Sequence, residues 1–335
     1  MATVYKYSDP GVPGYSFSTD AGSQLHFAAL KAVLKACLVS GYGVQSSAGW
    51  ELISEGNNWL TLRNGSHSGY FHLAYYSNGA SSRVDIYVAA SFGGVSSPPL
   101  MSGLGVVSGN AFNSSAPQRL LVTWLANNSS YHAWTVIADE RSFVLSWTGN
   151  DSGVVFPPSY LATQISLYAG ETTRGDFISV GGTNQTATGS VSARFDSDGV
   201  SWLTDPQSGL LVTSFASGSV ASHSELLMGS SERVGHLPSP AQSLVPVGLF
   251  GAMGAGSGAL TYAGDLRGCC VLPAYSGIWC AQLLRMLAPG SAGNYAGVME
   301  KLPGAFAETG YDFYVRYNRA LSRSGLITNH PDFWS

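Results

Sequence analysis

Four cysteines and seven histidines are the residues through which this 335-residue chain can do metal or nucleophilic chemistry. Cys269 and Cys270 are adjacent, Cys280 follows ten residues later, and Cys37 stands alone. Thiolates grouped this way invite a zinc or iron–sulfur reading, but the spacing fits no standard motif. The neighbours Val271, Leu272, Ile278 and Trp279 suit buried, inert thiols. Four irregular cysteines are also too few for a disulfide framework in a chain of this length, so reduced thiols are expected. His67 and His72 lie on or beside one strand, and His132 can approach them in a sheet. Two or three imidazoles begin a zinc site, yet no acidic residue has ligand-like spacing to them, and ordinary surface histidines account for all three.

A serine hydrolase needs its nucleophile in a strand–turn–helix setting, often G-x-S-x-G, and Gly254–Ala255–Gly256–Ser257–Gly258 lacks the central serine. Asp139, Glu140 and Arg141 form the most acid/base-like group, because carboxylates beside a cation have shifted proton affinities. A hairpin turn is the commoner home for such a triplet. Arg174–Gly175–Asp176 matches an adhesion tripeptide, and turn chemistry explains it as well. No catalytic residue, metal or cofactor is expected, and the chain reads as a non-enzyme.

The elements that position these residues are mainly strands. One helix is predicted over 25–40, where Leu25, Ala28, Ala29, Ala32, Val33, Ala36 and Cys37 recur at helical spacing and offer a face of small side chains to a sheet. Lys31 and Lys35 complement the helix dipole, and Gly41 is placed to end the helix in a left-handed conformation. From Trp50 to about Gly182 the pattern is β. Val84, Ile86, Val88, Ala90 and Phe92 alternate with Arg83, Asp85, Tyr87, Ala89 and Ser91, which predicts one core face and one wetter face. Trp134–Val136–Ala138 and Phe143–Leu145–Trp147 predict a hairpin turning at Asp139–Arg141. Ile165, Leu167 and Ala169 predict another strand, and 177–180 one more.

The first 23 residues carry Pro10, Pro13 and several glycines with no strand or helix period, so they read as an extended arm. Residues 24–290 form a β-rich domain with a loop-rich insertion at 183–257, in which 195–203 is read as a short hairpin and 244–258 as a buried strand or contact loop. Residues 291–335 form a C-terminal extension holding a strand around Tyr311–Phe313–Val315. The predicted fold class is α+β, mainly β: an antiparallel sheet or sandwich with one N-terminal amphipathic helix laid on it and long loops.

Charged residues make up only 11% of the chain against about 25% in an average soluble protein, and the net charge is −4. Nothing in that balance attracts a phosphate backbone, so no nucleic-acid partner is expected. A surface this poor in charge is either a neutral face rich in Ser, Asn and Thr or, on the sharper reading, one that neighbouring subunits cover. No apolar run reaches the roughly 18 residues that span a bilayer, and the N-terminus has no basic or apolar leader pattern. The aromatic residues Tyr5, Tyr7, Tyr15 and Phe17 of the arm and Tyr75, Tyr76 and Tyr87 of the β region are the candidate interface residues, since tyrosine suits both sheet cores and wet interfaces.

Taken in order, L-x-A-V-L-x-A-C-L-V-x-G-Y-G at Leu30 to Gly43, A-G-W at Ala48 to Trp50 and the segment Arg63 to Phe71 resemble a group of tailed-bacteriophage virion proteins of the tail tip and baseplate. Trp134 to Phe143 is similar to that group's strand, acidic turn, Arg and aromatic hairpin, and Leu266 to Tyr275 to a later L-R-G element. Cys269 and Cys270 stand here where the group commonly has a Gly/Pro-rich turn. The resemblance covers roughly half the chain. It implies a structural subunit present in several copies, with host attachment as a related role. Its implied partners are other copies of itself and other tail or baseplate proteins, and it would be made in the host cytoplasm and reside in the virion tail. The competing readings are a receptor- or carbohydrate-binding virion protein and an envelope-degrading hydrolase.

Overall fold

The computed structural model describes residues 1–13, 23–78, 81–96, 100–103, 118–121, 133–148, 164–181, 183–185, 191–193, 200–202, 223–225, 244–252, 261–271, 301, 304–316 and 325–335. In chain order the elements are β1 (Thr3–Lys6), helix α1 (Ser23–Lys35) with a π-helical turn (Ala36–Ser40), β2 (Glu51–Gly56), β3 (Trp59–Arg63), β4 (Tyr70–Asn78) and β5 (Ser81–Ala89). They continue with β6 (Gly94–Ser96), β7 (Leu100–Ser102), β8 (Gln118–Leu121), β9 (Ala133–Ala138), β10 (Ser142–Thr148), β11 (Gln164–Glu171) and β12 (Phe177–Gly181). The rest are β13 (Thr183–Gln185), β14 (Val191–Ala193), β15 (Val200–Trp202), β16 (His223–Glu225), β17 (Val245–Ala252), β18 (Thr261–Val271), β19 (Phe313–Arg316) and β20 (Gly325–Thr328). The fold is antiparallel and mainly β, and among the described residues the one α-helix lies where the periodicity places it.

Three sheets carry the architecture. A six-stranded sheet in the order β1-β9-β10-β11-β12-β15 lies between two five-stranded sheets, β2-β3-β4-β5-β8 and β16-β17-β18-β20-β19. The central position explains its sequence. A strand buried on both faces has no polar side to show water, so both parities must be apolar. Val136, Ala138, Phe143, Leu145, Leu167, Ala169 and Phe177 point into a core shared with Leu60, Leu62, Phe71, Leu73, Val84, Ile86 and Val88 of the second sheet. The intervening Ile137, Val144, Tyr168 and Ile178 point into another core, shared with Leu266, Cys269, Tyr314, Ile327 and Trp334 of the third sheet side.

Several expectations are corrected. The arm is not wholly without regular structure: Thr3–Lys6 pairs with Ala138–Thr135 as the edge of the central sheet. Helix α1 is rolled from the predicted face. Val33, Ala36 and Cys37 of that face are buried, joined by Phe27, Leu30, Leu34 and Leu38, whereas Ala28 is exposed and Ala29 and Ala32 are half-buried. Burying a Phe or Leu side chain is worth about 1.5–3 kcal/mol against about 0.8 for a single methyl-sized group, so the large residues set the helix rotation. Phe27 stacks on Tyr75 at 5.5 Å with a 16° interplanar angle. Lys31 donates to the Gly56 carbonyl, and Lys35 pairs with Glu55 at 2.8 Å, tying the helix to the β2–β3 hairpin. The expected wetter face of β5 is also buried: Asp85, Tyr87 and Ala89 are 1%, 9% and 0% exposed, with Met101 of β7 among their neighbours.

Residues 200–202 pair with β12, and the Phe195 half of the expected hairpin lies outside the described residues. The strand within 244–258 is β17, paired to β18 with two register shifts. The segment around Phe313 and its return strand β20 complete the third sheet by pairing β20 with β18.

Candidate functional site

The motifs Gly41–Tyr42–Gly43, Ala48–Gly49–Trp50, Asn64–Gly65, Asp139–Glu140–Arg141 and Leu266–Arg267–Gly268 lie far apart in the chain and are tied to one another in space. The helix end begins the connection. A helix terminus leaves carbonyls without intrahelical donors. Here the Cys37 and Leu38 carbonyls accept the Ala48 and Trp50 N–H groups, each at 2.9 Å. Between those points Tyr42 and Gln45 exchange two backbone hydrogen bonds, at 3.0 and 2.8 Å, around Gly43 and Val44. Gly43 has φ +53°, the glycine-first pattern that favours a two-residue turn. The Tyr42 hydroxyl donates to Asp9 at 2.7 Å and the Tyr5 hydroxyl to the Ser46 carbonyl at 2.7 Å. Gly41 has φ +72° with ψ 175°, so it ends the helix with positive φ but not in the left-handed helical well.

Trp50 carries the connection to the central hairpin. Its ring is 3% exposed and meets Phe143 edge-on at 5.3 Å, and its indole N–H donates to the Asp139 carbonyl at 3.0 Å. The Asp139 side chain organises its own turn: Oδ1 accepts the N–H groups of Arg141 and Ser142, both at 2.9 Å. The Glu140 carbonyl accepts the Gly65 N–H at 2.7 Å. Gly65 must be glycine here, because a Cβ would sit 2.6 Å from the Gly49 carbonyl oxygen and 3.0 Å from Glu140 Cβ.

Two ion pairs fill the junction. Arg267, 3% exposed on β18, makes a bidentate pair with Asp139, Nη1 to Oδ1 at 3.0 Å and Nη2 to Oδ2 at 2.7 Å. Its Nε donates to the Trp334 carbonyl at 2.9 Å, and the Trp334 ring lies 5.5 Å from the guanidinium. Arg141 Nε donates to Glu171 Oε2 at 2.6 Å, and Glu171 Oε1 accepts from the Ser66 hydroxyl and from Asn64 Nδ2 at 3.3 Å. Asn64 Oδ1 in turn accepts the Ser68 and Gly69 N–H groups at 3.0 and 3.2 Å. The Tyr168 hydroxyl donates to the Glu171 carbonyl and accepts the Arg267 N–H at 3.3 Å.

Among the described residues, this arrangement pairs each of its buried charges with an opposite one. Burial works against the Glu171 carboxylate, but hydrogen bonds from Ser66, Ser68 and Arg141, with the Arg141 charge, outweigh it and hold the carboxyl below its ordinary pKa. Glu171 is therefore a committed anion, not a proton donor. The Ser142 hydroxyl donates to the Glu171 carbonyl at 2.8 Å and receives Arg267 Nη1 at 3.2 Å. Burial pushes the Tyr168 phenol above its ordinary pKa and keeps it neutral.

The other candidates are not brought together. His72 is buried with Nδ1 2.8 Å from Thr61 Oγ1, while His67 is exposed and faces Glu51 at 3.0 Å; His132 lies outside the described residues. His67 has φ +63°, the one non-glycine residue in the left-handed region among the described residues. Cys37, Cys269 and Cys270 are buried thiols outside any disulfide, and burial raises the thiol pKa of Cys37 and Cys270. Cys280 and 254–258 lie outside the described residues, and among the described residues no group of three or more His, Cys, Asp or Glu is placed to hold a metal. Arg174–Gly175–Asp176 occupies the β11–β12 turn, closed by the Thr172 N–H on the Asp176 carbonyl at 2.9 Å. Of the aromatic interface candidates, Tyr5, Tyr75 and Tyr87 are buried in the chain's own cores, Tyr76 is half-buried, Tyr7 is 39% exposed, and Tyr15 and Phe17 lie outside the described residues.

Glu171 escaped sequence reading, although a signal was present. In a chain this poor in charge, a carboxylate ending the Ile165–Leu167–Ala169 alternation requires a buried partner. Comparison of the chain with family models, with curated proteins and with solved structures finds no match. Among the described residues, no helix is long and apolar enough to cross a membrane.

Proposed function

We propose that this chain is a structural subunit of a bacteriophage tail tip or baseplate, acting through contacts with other copies of itself and with neighbouring tail proteins, and that it is not an enzyme. The observation that supports this reading is the fate of the motifs that carry the resemblance. They converge on one junction, and their polar groups are spent on holding three sheets and a helix end in register. A turnover reaction needs an accessible nucleophile, acid or base, and this junction offers paired charges and buried carbonyls instead. The scarcity of surface charge fits a protein whose outer faces are covered in an assembly.

The test is composition. Quantitative mass spectrometry of purified particles from the phage encoding this chain is expected to find it in several copies per particle. Its absence from particles overturns the reading. Clearing of cell-wall or surface polysaccharide by the purified chain in a zymogram overturns the non-catalytic half and favours the hydrolase.

A further inference from the structure

The two boundaries of the central sheet are built differently. Toward the second sheet it presents Trp134, Val136, Phe143, Leu145 and their neighbours, an aromatic and aliphatic surface. Toward the third sheet it presents Ile137, Val144, Tyr168 and Ile178, and at the margin of that face the Asp139 carboxylate, which Arg267 reaches from β18. The side chain of Arg267 is 4% exposed, and its guanidinium partners are Asp139 and Ser142 of the central hairpin and the carbonyl of Trp334. The Arg141–Glu171–Asn64 group joins the central sheet to the second sheet instead. Other ties across the third-sheet boundary include backbone groups that water can replace, such as the Thr173 N–H on the Asp265 carbonyl at 3.1 Å.

We propose that the third sheet, with the C-terminal turn Pro331–Trp334, is a detachable cover that opens as one cooperative unit from a stable body of two sheets and a helix, and that the pair of buried Arg267 with half-buried Asp139 is its latch. The pair holds while both charges are present, and removal of the Asp139 charge leaves the buried Arg267 guanidinium uncompensated. Opening the cover is the motion that hydrates Arg267 without disturbing the aromatic core on the far side. It also bares Ile137, Val144, Tyr168 and Ile178, so the latch controls whether the chain shows a second apolar face. Units that open below the global unfolding limit commonly coincide with such contiguous substructures.

Hydrogen–deuterium exchange of the full chain, read by mass spectrometry at low denaturant, tests this. In the unmodified chain, amides of 266–270 and 326–328 are expected to exchange through one shared opening that needs less denaturant than the opening of 134–138 and 142–146. Exchange of all these segments only through a single global unfolding overturns the proposal. Asp139→Asn keeps an oxygen for the Arg141 and Ser142 N–H groups and removes the charge. It is expected to lower protection of 266–270 and 326–328 by at least about 100-fold while 60–62, 71–75 and 84–88 change less than about threefold. Asp139→Asn combined with Arg267→Gln removes the orphaned charge and is expected to recover at least about tenfold of that loss. Equal loss in all three sheets, or none in the third, contradicts the latch; should Asp139→Asn fail to fold, the unmodified chain decides alone.

Discussion

Trp50→Phe isolates the link between the helix-end motifs and the central hairpin. The substitution keeps an aromatic ring to meet Phe143 and Phe177, now 5.3 and 6.4 Å from the indole, but removes the N–H that reaches the Asp139 carbonyl at 3.0 Å. Trp50 is 3% exposed, and its bond to half-buried Asp139 is partly buried. Loss of such a hydrogen bond costs about 0.5–1.5 kcal/mol. The smaller ring leaves a partial void, at about 1 kcal/mol on the scale of 3–5 for complete truncation of a buried aromatic. The sum is about 1.5–2.5 kcal/mol, read as a fall in the urea midpoint with an unchanged slope. Trp59→Phe is the control: its indole N–H serves the Ser54 hydroxyl at 3.1 Å on a half-exposed hairpin, and its loss is expected to cost less than about 1 kcal/mol. If the two substitutions cost the same, or Trp50→Phe costs under about 0.5 kcal/mol, the hairpin turn is not held by the helix-end motif and the interlock reasoning fails.

Three further outcomes follow from the same geometry. Gly170→Ala is expected to abolish soluble folding, because φ is +129° and a Cβ would overlap the Arg141 carbonyl and lie 2.8 Å from Ser142 Cβ; a soluble variant with native circular dichroism would contradict the close crossing of β10 and β11. Glu171, whose folded pKa is lowered, contributes stability that is present above its unfolded pKa and lost as pH falls through the folded value, whereas half-buried Asp176, raised by desolvation, contributes stability in acid that is lost as pH rises through its folded value. Glu171→Gln should therefore flatten the acid limb of a stability–pH curve and Asp176→Asn steepen it, and the opposite ordering would refute the assignment. A thiol reagent at neutral pH should leave Cys37, Cys269 and Cys270 unmodified in the native chain and label them on unfolding; rapid native labelling of any of them, located by peptide mapping, would show that the cores open readily.

The local elements were legible where one signal ruled. The β9–β10 hairpin was readable because alternation on both sides of Asp139–Arg141 sets register and turn together. The layering was not, because a strand buried on both faces loses its alternation: Val136–Ile137–Ala138 is apolar at every position, and the sequence does not say which parity faces which sheet. The rotation of α1 was misread because alanine fits either side of a helix, and the larger Phe27, Leu30 and Leu34 decided the matter through area. The four residues of β1 were too few to show a period, and their pairing depends on a partner more than 120 residues away. At the junction, the turn triplet and the Leu-Arg-Gly element were each visible as motifs, but the pairing of Asp139 with Arg267 is a long-range fact that spacing does not carry.

A tail-tip or baseplate subunit occupies one end of the virion. Gold-labelled antibody raised against the purified chain and imaged on intact particles by electron microscopy measures that position directly. Label confined to the distal end of the tail is the predicted result, and label on the head, or on no part of the particle, would contradict the account.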